Sequence, residues 1–151
     1  MDEILSSKTA TNDFISLFLG KRIGFGSARS VYEHRFDKTL VIKVETIRKS
    51  FQNVEEWEVW DIAQSDKKLK NWFAPCVAIS DCGTILLQKK TVPAYRKDYP
   101  KEIPKCFGDL KYDNFGMLDG RFVCNDYGTF IISNGIRQGF KKAIWWGEES
   151  S

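Results

Sequence analysis

The chain has 151 residues, 42% hydrophobic and 14% aromatic, which is enough for one packed domain or two small lobes sharing a core and excludes wholesale disorder. Its 23 basic and 20 acidic residues leave a net charge of +3, too mild to mark a nucleic-acid-binding protein. The short basic runs at 67–70 and 141–142 read as solvated faces. The opening Met1-Asp2-Glu3 has neither the positive lead-in nor the apolar stretch of a secretory signal, and "FISLFLG" at 14–20 is far short of the roughly 20 residues that cross a bilayer. A cytoplasmic chain without a membrane partner is therefore expected. The four cysteines at 76, 82, 106 and 124 form no C-x-x-C pair, and His34 is the only histidine. Zinc lacks ligands at suitable spacing, the thiols are expected to be reduced, and histidine-based catalysis has little support. Chemistry here falls to carboxylates and lysines.

In chain order, "TNDFISLFLG" at 11–20 predicts a short helix, with Thr11 or Asn12 as its cap and Gly20 as its stop. Strand-like pieces at 31–34 and 40–44 flank an Asp37-Lys38 turn and predict a hairpin. In the stretch that opens "SFQNVEEWEVW", apolar residues at 51, 54, 57, 59, 60, 62 and 63 predict a helix with an apolar core-facing stripe. "CVAISDCGTILLQKK" predicts a second hairpin turning at Asp81-Cys82-Gly83. Segment 92–107, punctuated by Pro93, Pro100 and Pro104, reads as a connector. "FGMLDGRFVCND" predicts a third hairpin turning at Asp119-Gly120, a strong two-residue signal. The tail, "IRQGFKKAIWWGEESS", predicts a short closing helix and a frayed end. Trp145 and Trp146 in that tail read either as core residues or as part of an interface.

Several fragments bear on chemistry. Gly24 and Gly26 let the backbone fold closely over a ligand, or mark an ordinary hairpin turn. Lys43, between Ile42 and Val44 in an apolar strand, either faces solvent or reaches into a cleft to hold phosphate oxygens. The second role needs an acid partner, and Glu55, Glu56 and Glu58 follow on the predicted helix. "GDLKYDN" places Asp109 and Asn114 five positions apart, and "NDYG" follows at 125–128.

Taken in order, these fragments resemble the protein kinase-like superfamily. "GFGSARSV" is similar to G-x-G-x-x-G-x-V at Gly24, Gly26 and Val31, with Arg29 in place of the third glycine; "VIKV" resembles the V-A-I-K strand; "DLKYDN" and "DYG" resemble the catalytic loop and D-F-G. "NVEEWEVW", "APCVAIS" and "GDLKYDNFGMLDGRFVCNDYG" look like the very small kinase-like proteins of tailed bacteriophages and related bacterial elements. The resemblance covers roughly residues 20–130. It implies an α+β, protein kinase-like fold: one domain over 1–151, with a β-rich N-lobe-like part at 20–91 holding one αC-like helix, and a reduced C-lobe at 92–151.

The resemblance also implies roles. Lys43 contacts the α- and β-phosphates of ATP and is held by Glu56, favoured because Asn53-x-x-Glu56 fits the family pattern. Asp126 binds the Mg2+ that bridges the β- and γ-phosphates, and Asn114 the second Mg2+. Asp109 orients the attacking hydroxyl or accepts its proton, with Lys111 offsetting γ-phosphate charge. Ile23, Val31 and Ile42 wall the adenine, Gly24 and Gly26 cover the nucleotide, and the "LLQKKT" segment with Gln88 forms the hinge.

Departures from the family pattern qualify the activity. Phe107-Gly108-Asp109 replaces H-R-D, so the usual arginine link to a phosphorylated activation loop is missing. Only segment 92–108 separates the hinge from Asp109, and no A-P-E motif follows Gly128, so the peptide-binding lobe is expected to be almost absent. Two functions remain open. One is a minimal ATP-Mg2+ phosphotransferase acting on a protein hydroxyl or on itself. The other is a weak or inactive kinase-fold binding module, a pseudokinase that occupies a host protein in the host cytoplasm. A small-molecule kinase of the aminoglycoside type ranks last, because it normally needs a large helical lobe.

Overall fold

The computed structural model describes residues 8–47, 49–130 and 135–147. Helix α1 (Lys8–Phe18) runs directly into strand β1 (Leu19–Phe25). The helix expected over 11–20 therefore starts earlier and ends earlier, and Gly20 is a strand residue rather than a helix stop. Strands β2 (Arg29–His34) and β3 (Leu40–Glu45) form the first expected hairpin, and β4 (Cys76–Ile79) and β5 (Ile85–Lys89) the second. These strands make one five-stranded antiparallel sheet in the order β1-β2-β3-β5-β4. In β3 the pleat sends Val41 and Lys43 to one face and Ile42 to the other.

Between β3 and β4 lies helix α2 (Gln52–Gln64), followed by a 3-10 turn at Leu69–Trp72. The expected apolar stripe is buried in part: Val59 and Ala63 lie in the core, with Trp57 and Trp60 packed against it, but it does not account for the whole inward face of α2. The buried residues are Asn53, Glu56, Val59 and Ala63, while Phe51 and Ile62 are exposed. Two polar side chains occupy the inward positions nearest the sheet because they bond to β3, which a count of apolar side chains does not see.

After β5 the chain forms two small hairpin-like pairs. Strand β6 (Glu102–Pro104) pairs with β9 (Phe140–Lys142), and β7 (Phe115–Leu118) with β8 (Arg121–Cys124). The connector at 92–107 thus contains a strand. The tail forms no closing helix over its described residues; Phe140–Lys142 extends instead because β6 supplies backbone partners and sets Glu102 opposite Lys142. The frayed end at 148–151 lies outside the described residues. The third hairpin turns at Asp119-Gly120 as expected, with φ of 50° and 76°; the tight turn needs positive φ at both central positions.

One apolar cluster joins these parts, with Val59, Phe73 and Leu86 packing with Phe107, Phe115, Tyr127 and Trp145. Phe73 lies 5.1 Å from Phe107 and 5.0 Å from Tyr127, centroid to centroid. Trp145 is buried against Tyr99, Phe115 and Phe122, whereas Trp146 is exposed. Backbone bonds tie the hairpin to the sheet side: Ala74 N–H donates to the Cys124 carbonyl at 2.8 Å, and Val92 and Met117 exchange two bonds. The chain is α+β, and none of its described helices is long and apolar enough to cross a membrane.

Candidate functional site

A cleft of about 510 Å³ opens between the sheet and the β7–β8 hairpin. The β1–β2 corner contributes Ile23, Gly24, Gly26, Arg29 and Val31 to its wall; β3 contributes Val41 and Lys43, and β5 contributes Gln88. Lys89, Lys90 and Thr91 continue that edge, and Asp113, Asn114, Asn125 and Asp126 close the opposite side. At the corner, Gly26 N–H donates to the Arg29 carbonyl at 2.8 Å, which turns the chain back so that Arg29 enters the cleft. The two acids reach the same wall through the backbone, where Asn125 N–H donates to the Asn114 carbonyl at 2.8 Å.

Behind the wall lies Glu56, fully buried. Its Oε1 accepts from Lys43 Nζ and, at 2.8 Å, from Gln88 Nε2. Its Oε2 accepts from Arg29 Nη2 at 2.8 Å and from Tyr127 N–H at 3.0 Å. Burial pushes the Glu56 carboxyl up, yet the Lys43 and Arg29 cations outweigh it and hold the group below its ordinary value. Arg29 has the converse balance: burial works against its charge, while Glu56 and Asp126 raise its pKa.

Arg29 is the hub of this network. Nη2 also bonds Asp126 Oδ1 at 2.8 Å, and Nη1 donates to Asn53 Oδ1 at 3.1 Å. Asn53 returns to the sheet by donating Nδ2 to the Lys43 carbonyl at 3.2 Å. Lys43 Nζ completes the ring by donating to the Asn125 carbonyl. Neighbouring nucleophilic groups stay protonated: burial lifts the Cys76 thiol to about 12 and the Tyr127 phenol well above its usual value.

The expected residues fall into three groups. Ile23, Gly24, Gly26, Val31, Lys43, Gln88, Asn114 and Asp126 meet at the cleft, and Glu56 grips Lys43 from behind. Ile42 does not wall the cleft; Val41 takes that place, because the pleat puts 41 rather than 42 beside Lys43. Asp109 and Lys111 stand outside the cleft wall, about half exposed, paired with each other at 3.6 Å. Lys111 Nζ also lies 4.5 Å from the Trp146 ring centre. Sequence reasoning missed Arg29, Asn53, Asn125 and Asp113 as site residues. Arg29 carried a signal, a charged residue where the motif has glycine.

For a divalent cation the cleft offers the Asn114 amide and the Asp126 carboxylate, hard oxygen donors of the type magnesium takes. Among the described residues no three His, Cys, Asp or Glu side chains gather as a metal site, so oxygen donors from outside the chain would have to complete the coordination. The chain matches no protein-family model and no characterised protein sequence.

Proposed function

We propose that the protein is a minimal protein kinase-like protein that binds ATP, with Mg2+, in this cleft and transfers the γ-phosphoryl group to a protein hydroxyl. The observation that carries the reading is the meeting of the Lys43–Glu56 pair, Asn114 and Asp126 with the glycine corner around one cleft. At about 510 Å³ the space lies within the roughly 300–1,000 Å³ typical of small-molecule sites. Ile23, Val31 and Val41 provide an apolar wall for a base, while Lys43, Asn114 and Asp126 provide the polar end for phosphates. Phosphoryl transfer asks mainly for positioning and charge neutralisation, which such a set supplies. In the transfer the acceptor oxygen bonds to the γ-phosphorus, the bond to the β,γ-bridging oxygen breaks, ADP leaves, and the acceptor proton passes to the Asp109 carboxylate.

A second reading rests on a specific observation. Asp109 lies outside the cleft wall and is engaged by Lys111, which favours a kinase-fold module that holds nucleotide without transferring phosphate. Thermal unfolding and radiolabel transfer, with and without Mg2+, separate the two readings when run beside Asp126→Asn and Asp109→Asn variants. Nucleotide at a hundredfold excess over Kd adds about 2.7 kcal/mol, roughly 5–10 °C in Tm for a chain of this size. Stabilisation with label transfer that Asp109→Asn abolishes is the expected result. Stabilisation without transfer, the same in Asp109→Asn, selects the binding module. No stabilisation with or without Mg2+ contradicts both.

A further inference from the structure

We infer that Arg29 is an internal counter-ion for the phosphate end of the cleft, supplying beside Asp126 the positive charge that a divalent cation would otherwise supply there. The inference rests on the nucleotide reading above and sharpens its cofactor requirement. Arg29 is almost wholly buried, and Nη2 is shared between Glu56 Oε2 and Asp126 Oδ1, at 2.8 Å from each. Its position is fixed from the far side by Asn53, whose Oδ1 accepts from Nη1 at 3.1 Å. A guanidinium held this way on three partners loses little further freedom when a phosphate arrives.

The charge count explains why such a residue matters. Without Arg29, the network would hold Lys43 against Glu56 and leave Asp126 as a bare carboxylate on the wall that the phosphates must approach. A polyphosphate would then need a cation between itself and Asp126. With Arg29 present, Lys43 and Arg29 balance Glu56 and Asp126 within the network, so the repulsion from Asp126 is already offset, and Asp113 is the remaining cleft carboxylate, across from Lys89 and Lys90. Asp126 is about half exposed, and the described bonds engage its Oδ1 alone. A cation at Asp126 therefore meets a carboxylate whose charge is shared with Arg29, and gains less from it.

The test is the Kd of ATP measured by titration calorimetry in Mg2+ and in EDTA, for the parent chain and for Arg29→Gln, Arg29→Lys and Asp126→Asn. The parent is expected to bind in both conditions, with affinities within about threefold of each other. Arg29→Gln is expected to lose about tenfold or more in EDTA and to recover much of it with Mg2+. Arg29→Lys keeps the charge but loses the guanidinium fork, so a parent-like Mg2+/EDTA ratio there, set against the changed ratio of Arg29→Gln, is expected and separates charge from packing. If Arg29→Gln does not fold, Asp126→Asn still decides: with the anion that Arg29 offsets removed, ATP is expected to bind in EDTA about threefold or more tighter than in the parent, and an equal or weaker affinity there overturns the role of Arg29. Binding that requires Mg2+ in the parent, or an unchanged Mg2+/EDTA ratio in Arg29→Gln, overturns the role of Arg29 while leaving nucleotide binding in place. No binding by the parent in either condition overturns both.

Discussion

Glu56 is a carboxylate in the interior that survives as an anion only because two cations and two further N–H donors reach it. Removing the negative charge while keeping the shape leaves Lys43 and Arg29 buried with a partner missing. Glu56→Gln is therefore expected to destabilise the fold by about 3–5 kcal/mol, measured by urea denaturation at neutral pH. The pH dependence has a definite sign. Because the folded carboxyl sits below its ordinary value, its contribution is complete above the unfolded value of about 4.3 and is lost as pH falls through the lower folded value. The stability gap between the parent and Glu56→Gln should stay constant from pH 8 to 5 and shrink below about 4.3. A gap that instead narrows as pH rises toward 8 would contradict the ion-pair assignment.

At the scale of elements, the approach of α2 to the turn after Asp126 depends on Gly128. A Cβ there would sit 2.8 Å from the Gln52 carbonyl oxygen at the start of α2 and 3.0 Å from Arg29 Nη2. Gly128→Ala must push one of them aside and is expected to cost about 1–3 kcal/mol, with loss of the Arg29–Asp126 contact. Gly120→Ala makes a control: its φ of 76° is strained for alanine, at about 1 kcal/mol, but an added Cβ there meets nothing within 4 Å. Equal effects of the two on nucleotide binding would refute the close-packing argument. The elements also differ in how readable they were. The β7–β8 hairpin was legible because Asp-Gly sets the turn locally. The buried face of α2 was legible only in part: the apolar stripe held Val59 and Ala63, but periodicity is blind to Asn53 and Glu56, which turn inward to meet the sheet. Strand β9 was not legible: three residues extend there only because β6 is present to pair with them.

At the scale of the molecule, the cleft is assembled from segments far apart in the chain, with Arg29 and Asp126 separated by 97 positions. Much of the candidate site could be read from order and spacing, because a glycine corner, a strand lysine, a helix acid and two acid-bearing loops follow in sequence. What escaped was long-range: that Arg29, standing where a glycine was expected, bridges helix and hairpin, and that Asp109 lies off the wall its neighbour Asn114 helps to form. The most direct test of nucleotide binding in this cleft is a titration of isotopically labelled protein with ATP, followed by amide chemical shifts. The expected result is saturable shifts concentrated at Gly24, Gly26, Val31, Lys43, Gln88, Asn114 and Asp126, with residues 140–147 little changed. Saturable shifts centred elsewhere, or none at millimolar ATP, would contradict it.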